Sequence, residues 1–217
     1  MKDTPIFITG APRSGKTLVA GVLKICGVFS GATDTMLENI HVRDQFLARY
    51  LKEHGADPKG CHPIIPPGEF PIPMGWAEKV DNVMIREGYD RGPWMLKTHK
   101  LALTWPVWHG AYAGAKWIIV RRRTGDIVES CLKTHYMTAY SKREGWVEMV
   151  RQYEERFVEM IMEGLDCKVI WPQRMVYGDY SQVYELLDWL GLPWSTEILA
   201  YIDPKFWRTR NKKNKTA

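Results

Sequence analysis

Eight residues near the start of the chain, Gly10-Ala11-Pro12-Arg13-Ser14-Gly15-Lys16-Thr17, satisfy the pattern GxxxxGK(S/T) at every fixed position. Glycines let backbone N–H groups turn inward around a phosphate, and a helix that opens there adds partial positive charge. The chemistry this predicts is capture of a phosphate-bearing compound. A kinase or triphosphatase built on such a loop also needs a carboxylate at the tip of a neighbouring apolar strand to hold magnesium. Here the apolar run Trp117 to Val120 ends in Arg121-Arg122-Arg123, and Val169-Ile170-Trp171 ends in Pro172-Gln173-Arg174. Asp126 comes too late to sit at a strand tip. Guanidinium groups neutralise phosphate directly, so three arginines there suit a ligand with a second phosphate and no metal.

Those residues need strands and helices to aim them. Pro5 to Thr9 is a short apolar run closed by Gly10, and Thr17 to Cys26 has helical spacing at Leu18, Val19, Val22, Leu23 and Cys26. Helical spacing also predicts a helix over Asp34 to His54, capped near Thr33 or Asp34 and stopped by Gly55, and another over Trp76 to Glu87. Between them the proline-rich stretch His62 to Gly75 reads as an extended loop, a lid or a substrate border. Trp94 to Thr98, Lys116 to Arg121 and Lys168 to Trp171 read as strands. Helices are predicted over Thr104 to Ala113, Asp126 to Tyr140, Gly145 to Gly164 and Ser181 to Leu190, the last ended by Gly191-Leu192-Pro193. Strands alternating with helices predict an α/β, three-layer P-loop-type fold with a central parallel β-sheet flanked by helices, its chemistry at the carboxyl ends of the strands.

Composition bounds the rest. The chain has 217 residues, 45% apolar and 25% charged, which are globular values and exclude disordered or collagen-like classes. The expectation is one domain over 1–217, with a loop and helix insertion at about 31–92 bordering the substrate site and a basic tail at 205–217. The four cysteines, Cys26, Cys61, Cys131 and Cys167, include no CxxC pair and read as reduced thiols. His41, His54, His62, His109 and His135 show no metal-ligand spacing. The opening apolar stretch Ile6-Phe7-Ile8 is far too short for a membrane span, so a cytoplasmic protein is expected. Net charge is +5, with Lys205 to Lys215 holding basic and no acidic residues, which fits a phosphate-bearing ligand or a nucleic acid, and composition alone does not choose between those partners.

With those motifs in order, the chain resembles the sulfotransferases that use 3′-phosphoadenosine 5′-phosphosulfate (PAPS). Pro12-Arg13-Ser14-Gly15-Lys16-Thr17 looks like that family's 5′-phosphosulfate loop, with Lys16 in place of the usual threonine. Arg122, Asp126 and Ser130 fit its 3′-phosphate spacing, and Met95-Leu96-Lys97-Thr98-His99-Lys100-Leu101 is similar to its Lys-Thr-His segment. Val176-Tyr177-Gly178-Asp179-Tyr180 resembles its Tyr-Glu-Asp segment. Leu18 stands where many cytosolic members have tryptophan, and the Arg-Lys-Gly segment is missing, with Arg208 or Arg210 as substitutes.

The resemblance implies sulfuryl transfer from PAPS to an acceptor hydroxyl, or to an amine, on a small molecule or glycan. It gives His99 the role of general base and Lys97, Arg13 and Lys16 that of positive charge at the sulfuryl group. It implies cofactor contacts from Pro12, Arg13, Ser14, Gly15, Lys16, Thr17, Arg122, Ser130 and Tyr177. Phe70, Trp76, Trp105 and Tyr136 are candidates for the acceptor pocket. Two other classes stay open: a magnesium-dependent kinase or triphosphatase, and a non-catalytic nucleotide- or polyanion-binding protein.

Overall fold

The computed structural model describes residues 4–66, 68 and 70–202. The basic tail, with Arg208 and Arg210, lies outside the described residues. Four strands, Pro5–Thr9 (β1), Trp94–Lys97 (β2), Lys116–Val120 (β3) and Cys167–Ile170 (β4), pair in parallel in the order β2-β1-β3-β4. β1 and β3 sit inside the sheet and are covered on both faces, which is why their sequences are continuous apolar runs without polar alternation.

Alternate residues of each strand feed two separate cores. Ile6, Ile8, Ile118 and Val120 face Lys16–Ile25 (α1), Pro172–Val176 (α8), Ser181–Leu190 (α9) and Glu197–Tyr201 (α10). Phe7, Leu96, Trp117 and Ile119 face the opposite layer of Trp76–Arg86 (α3), Lys100–Leu103 (α4), Trp105–Ala111 (α5), Thr124–Lys133 (α6) and Arg143–Met162 (α7). The three-layer α/β expectation therefore holds. At the centre of the second core Phe7 meets Trp94, Trp108, Tyr112 and Trp117 edge-on, with ring centroids 4.9–6.3 Å apart. Truncating a buried aromatic so placed costs roughly 3–5 kcal/mol.

Three expectations are corrected. The helix over Asp34 to His54 starts only at Ile40, runs through wide π turns at Val42–Ala48 and ends as Arg49–Glu53 (α2). Its cap is Asn39, whose Oδ1 accepts the Val42 N–H at 2.9 Å. Asp34 instead folds its own segment into a loop, since Oδ1 accepts the N–H groups of Met36 at 2.8 Å and Glu38 at 3.0 Å. The helix expected to reach Tyr140 stops at Lys133, where the Thr134 hydroxyl donates to the Ser130 carbonyl at 2.6 Å and the backbone turns extended. The proline-rich stretch does not border the cavity with its described residues: Phe70 is buried against Tyr50 in the core.

Candidate active site

β1 connects towards β2 on one side of the sheet, and β3 connects towards β4 on the other, so the crevice at the ends of β1 and β3 is the topological switch point. The Gly10–Thr17 loop, the candidate phosphate loop, lies there. Gly10 has φ 150°, and a Cβ on it would overlap the Val120 carbonyl oxygen and come within 2.7 Å of Ser14 Oγ. Only glycine lets the loop press against β3. Among the described residues the two non-glycine positions with left-handed backbones, Arg13 (φ 65°) and Leu37 (φ 58°), both line one cavity of about 950 Å³. Strain of that kind concentrates at functional sites.

Pro12, Arg13, Gly15, Lys16, Thr17, Lys97, His99 and Arg122 all line this cavity. Ser14 lies fully buried beneath the loop, its Oγ 3.5 Å from Lys16 Nζ. Ser130 is tied in through Arg13, whose Nε donates to Ser130 Oγ at 3.0 Å while Nη1 donates to Tyr136 OH at 2.7 Å. Arg122 Nη1 in turn donates to the Arg13 carbonyl at 3.1 Å, so residues 13, 122 and 130 form one cluster at the loop. The three strand-end arginines separate: Arg121 pairs with Glu154 and lies over Trp171, Arg123 pairs with Asp126, and Arg122 alone of them lines the cavity. Burial lowers the pKa of Arg122.

Lys16 turns back on its own loop. Its ammonium donates to the carbonyls of Ala11 at 2.7 Å and Gly10 at 3.0 Å, and burial, followed by the charge of Lys97, lowers its pKa to about 7. Lys97, at the end of β2, donates to the Met36 carbonyl at 2.8 Å and pairs with Glu38 Oε1 at 3.1 Å, with both side chains largely buried. Burial lowers the Lys97 pKa against the pull of Glu38. The neighbouring cations, Lys97 foremost, outweigh burial and hold Glu38 below the ordinary carboxylate range. His99 caps α4, with Nε2 2.8 Å from the Lys59 carbonyl. Burial, and then Lys16, pushes its pKa down to about 3, so the imidazole is neutral.

Sequence reasoning missed Glu38 and the Met36 carbonyl, because it placed both on a helix. Asn39, three residues before Val42, was the cap signal that leaves 34–38 as a loop. Met36 also accepts the Thr17 hydroxyl at 3.2 Å, so this loop straps across the phosphate loop. The early end of α6 is what delivers Tyr136 and Met137 to the cavity wall. Phe70 and Trp76 are core residues, and Trp105 packs against the core, so of the four expected acceptor-pocket aromatics only Tyr136 lines the cavity. Tyr177 ends α8, is 70% exposed and lies outside the cavity lining. Along α1 the cavity continues over Leu18, Gly21 and Ile25 to Tyr201.

No helix among the described residues is long and apolar enough to cross a membrane. No protein-family model and no curated protein matches the chain. Solved structures do. The sulfotransferase STF1 of Mycobacterium tuberculosis H37Rv superposes with a TM-score of 0.55 at 15% identity, over 92% of this chain and 70% of that one. The sulfotransferase domain of the Synechococcus PCC 7002 olefin synthase superposes with a TM-score of 0.58 at 17% identity, over 99% of this chain and 92% of that domain. The four-stranded parallel sheet flanked by helices is the fold of these sulfotransferases.

Proposed function

We propose that the protein is a PAPS-dependent sulfotransferase acting on an acceptor hydroxyl, with a small molecule or glycan as the acceptor and an amine as the lesser alternative. One observation supports the reading: Arg13 of the Gly10–Thr17 loop is hydrogen-bonded to both Ser130 and Arg122, so the residues suited to a 5′ and to a 3′ phosphate form one cluster, with Arg13 and Arg122 on the cavity wall. A ligand with phosphates at two positions matches that pairing.

The donor would supply the sulfuryl group and a bisphosphate leaving group. The loop N–H groups, Arg13 and Lys16 are suited to its 5′ end, and Arg122 with Ser130 to its 3′-phosphate. Lys16 now holds two neutral carbonyls, which are weaker partners for an ammonium than a phosphate oxygen. An anion beside Lys16 would also offset the charge that helps depress the His99 pKa. His99 would take the acceptor proton, and Lys97 would stabilise negative charge building on the transferred group.

Glu38 is a second proton acceptor on the same wall, already ionised by its pairing with Lys97, and it competes with His99 for the role of base. The carboxylates that line the cavity, Asp34 and Glu38, are bound to Arg43 and Lys97 respectively, so a magnesium-dependent kinase would have to break an ion pair to use either. Calorimetry tests the reading. Adenosine 3′,5′-bisphosphate should bind much more tightly than AMP, and equal affinities would remove the 3′-phosphate site and favour the kinase.

A further inference from the structure

We infer that Nδ1 is the proton-accepting nitrogen of His99 and that the loop from Asp57 to His62 is the device that fixes this, with the Lys59 carbonyl as the orienting group. The inference rests on the sulfuryl-transfer reading, in which His99 is a base. A carbonyl can only accept a hydrogen bond, so the 2.8 Å contact to Lys59 O puts the ring proton on Nε2. On a neutral ring the lone pair is then on Nδ1. Nδ1 makes no hydrogen bond among the described residues, and the ring lines the cavity.

The loop is built to hold that carbonyl still. The Asp57 carboxylate accepts three backbone N–H groups, from Lys59 at 2.9 Å, Cys61 at 2.8 Å and His62 at 2.9 Å. The fully buried Tyr153 of α7 donates its hydroxyl to the Gly60 carbonyl at 2.7 Å. Gly60 has φ 66°, and a Cβ there would lie 3.0 Å from His99 Cδ2 and 3.1 Å from both His99 Nε2 and Tyr153 Oη. A side chain at position 60 would therefore crowd the ring by a few tenths of an ångström, on a backbone whose left-handed φ disfavours any residue but glycine. The task resembles that of the third member of a nucleophile-base-orienter set, carried out by a neutral group: it fixes the tautomer and ring plane. Asp57, Gly60 and Tyr153 are positioning residues, each acting through His99.

Nuclear magnetic resonance of the full chain with ¹⁵N-labelled imidazole groups tests this without an acceptor. The expected result at neutral pH is a His99 Nε2–H resonance protected from solvent exchange. In Asp57→Ala and in Gly60→Ala that protection should be lost, with affinity for adenosine 3′,5′-bisphosphate unchanged. The milder Tyr153→Phe should lose part of it. A proton on Nδ1 in the wild type overturns the inference, and so does a protected Nε2–H that survives both loop variants. Loss of the preference for the bisphosphate over AMP with the tautomer as expected overturns the sulfuryl-transfer reading instead.

Discussion

The two walls of the cavity hold their cations in opposite ways. On the phosphate-loop wall, Arg13 and Lys16 are bound by neutral oxygens: a hydroxyl of Ser130, a phenol of Tyr136, and the carbonyls of Gly10 and Ala11. On the strap wall, Lys97 is bound by a carboxylate, and the pair is buried. An incoming anion displaces neutral partners cheaply, whereas a buried ion pair loses several kcal/mol when one member is left alone. In the proposed sulfuryl transfer that difference would divide the tasks: the loop wall would receive the donor, and the strap wall would keep a cation and a carboxylate in place at the reacting end.

The largest expected effect is on turnover. His99→Ala should lower it by about 10²- to 10⁴-fold while adenosine 3′,5′-bisphosphate affinity stays as in the wild type. Wild-type turnover in that variant, with loss in Glu38→Gln, would move the role of base from His99 to Glu38. Next comes stability. Glu38→Gln strands the Lys97 ammonium and should cost about 3–5 kcal/mol in urea unfolding, whereas Lys16→Met removes a buried ammonium held only by neutral oxygens and should cost clearly less or stabilise. Equal losses would erase the contrast between the walls. Because the folded pKa of Glu38 is depressed, its contribution is full above the ordinary carboxylate range and disappears as pH falls through the lowered value.

Arg122→Ala should weaken bisphosphate binding by ~1.5–3 kcal/mol, the worth of a hydrogen bond to a charged group, and leave AMP nearly untouched. A further effect is a slope. Lys16 has its pKa lowered to about 7 in the fold, so the unfolded chain binds the extra proton between there and the ordinary lysine range, and stability should rise with pH across that window. Anion binding needs the protonated form, so bisphosphate affinity should be flat below about pH 7 and fall above it, by at most about tenfold per unit. Lys16→Met should flatten both curves in calorimetry and unfolding at pH 6 to 9.

How much of this was legible follows the same division. The loop wall is local: Gly10, Gly15 and Lys16 are fixed by their spacing in eight consecutive residues, and the apolar runs of β1 and β3 announce a buried parallel sheet around them. The strap wall is assembled from distant pieces. Asp34 reads as a helix cap until Asn39 is seen to take that role, and only the folded chain brings Glu38 to Lys97, 59 residues away. Likewise no glycine or proline between Lys133 and Tyr140 marks the end of α6, because a threonine hydroxyl turning on Ser130 ends it. Phe70 and Trp76 fit a pocket as well as a core by type, and burial decides for the core.

The most direct measurement is transfer of ³⁵S-labelled sulfuryl from PAPS to a panel of phenols, sterols, sugars and amines, run in EDTA beside a magnesium-ATP control. Labelled product that forms with EDTA present and is lost in His99→Ala is the expected result. No transfer to any acceptor, together with magnesium-dependent hydrolysis of ATP, would contradict the sulfotransferase assignment.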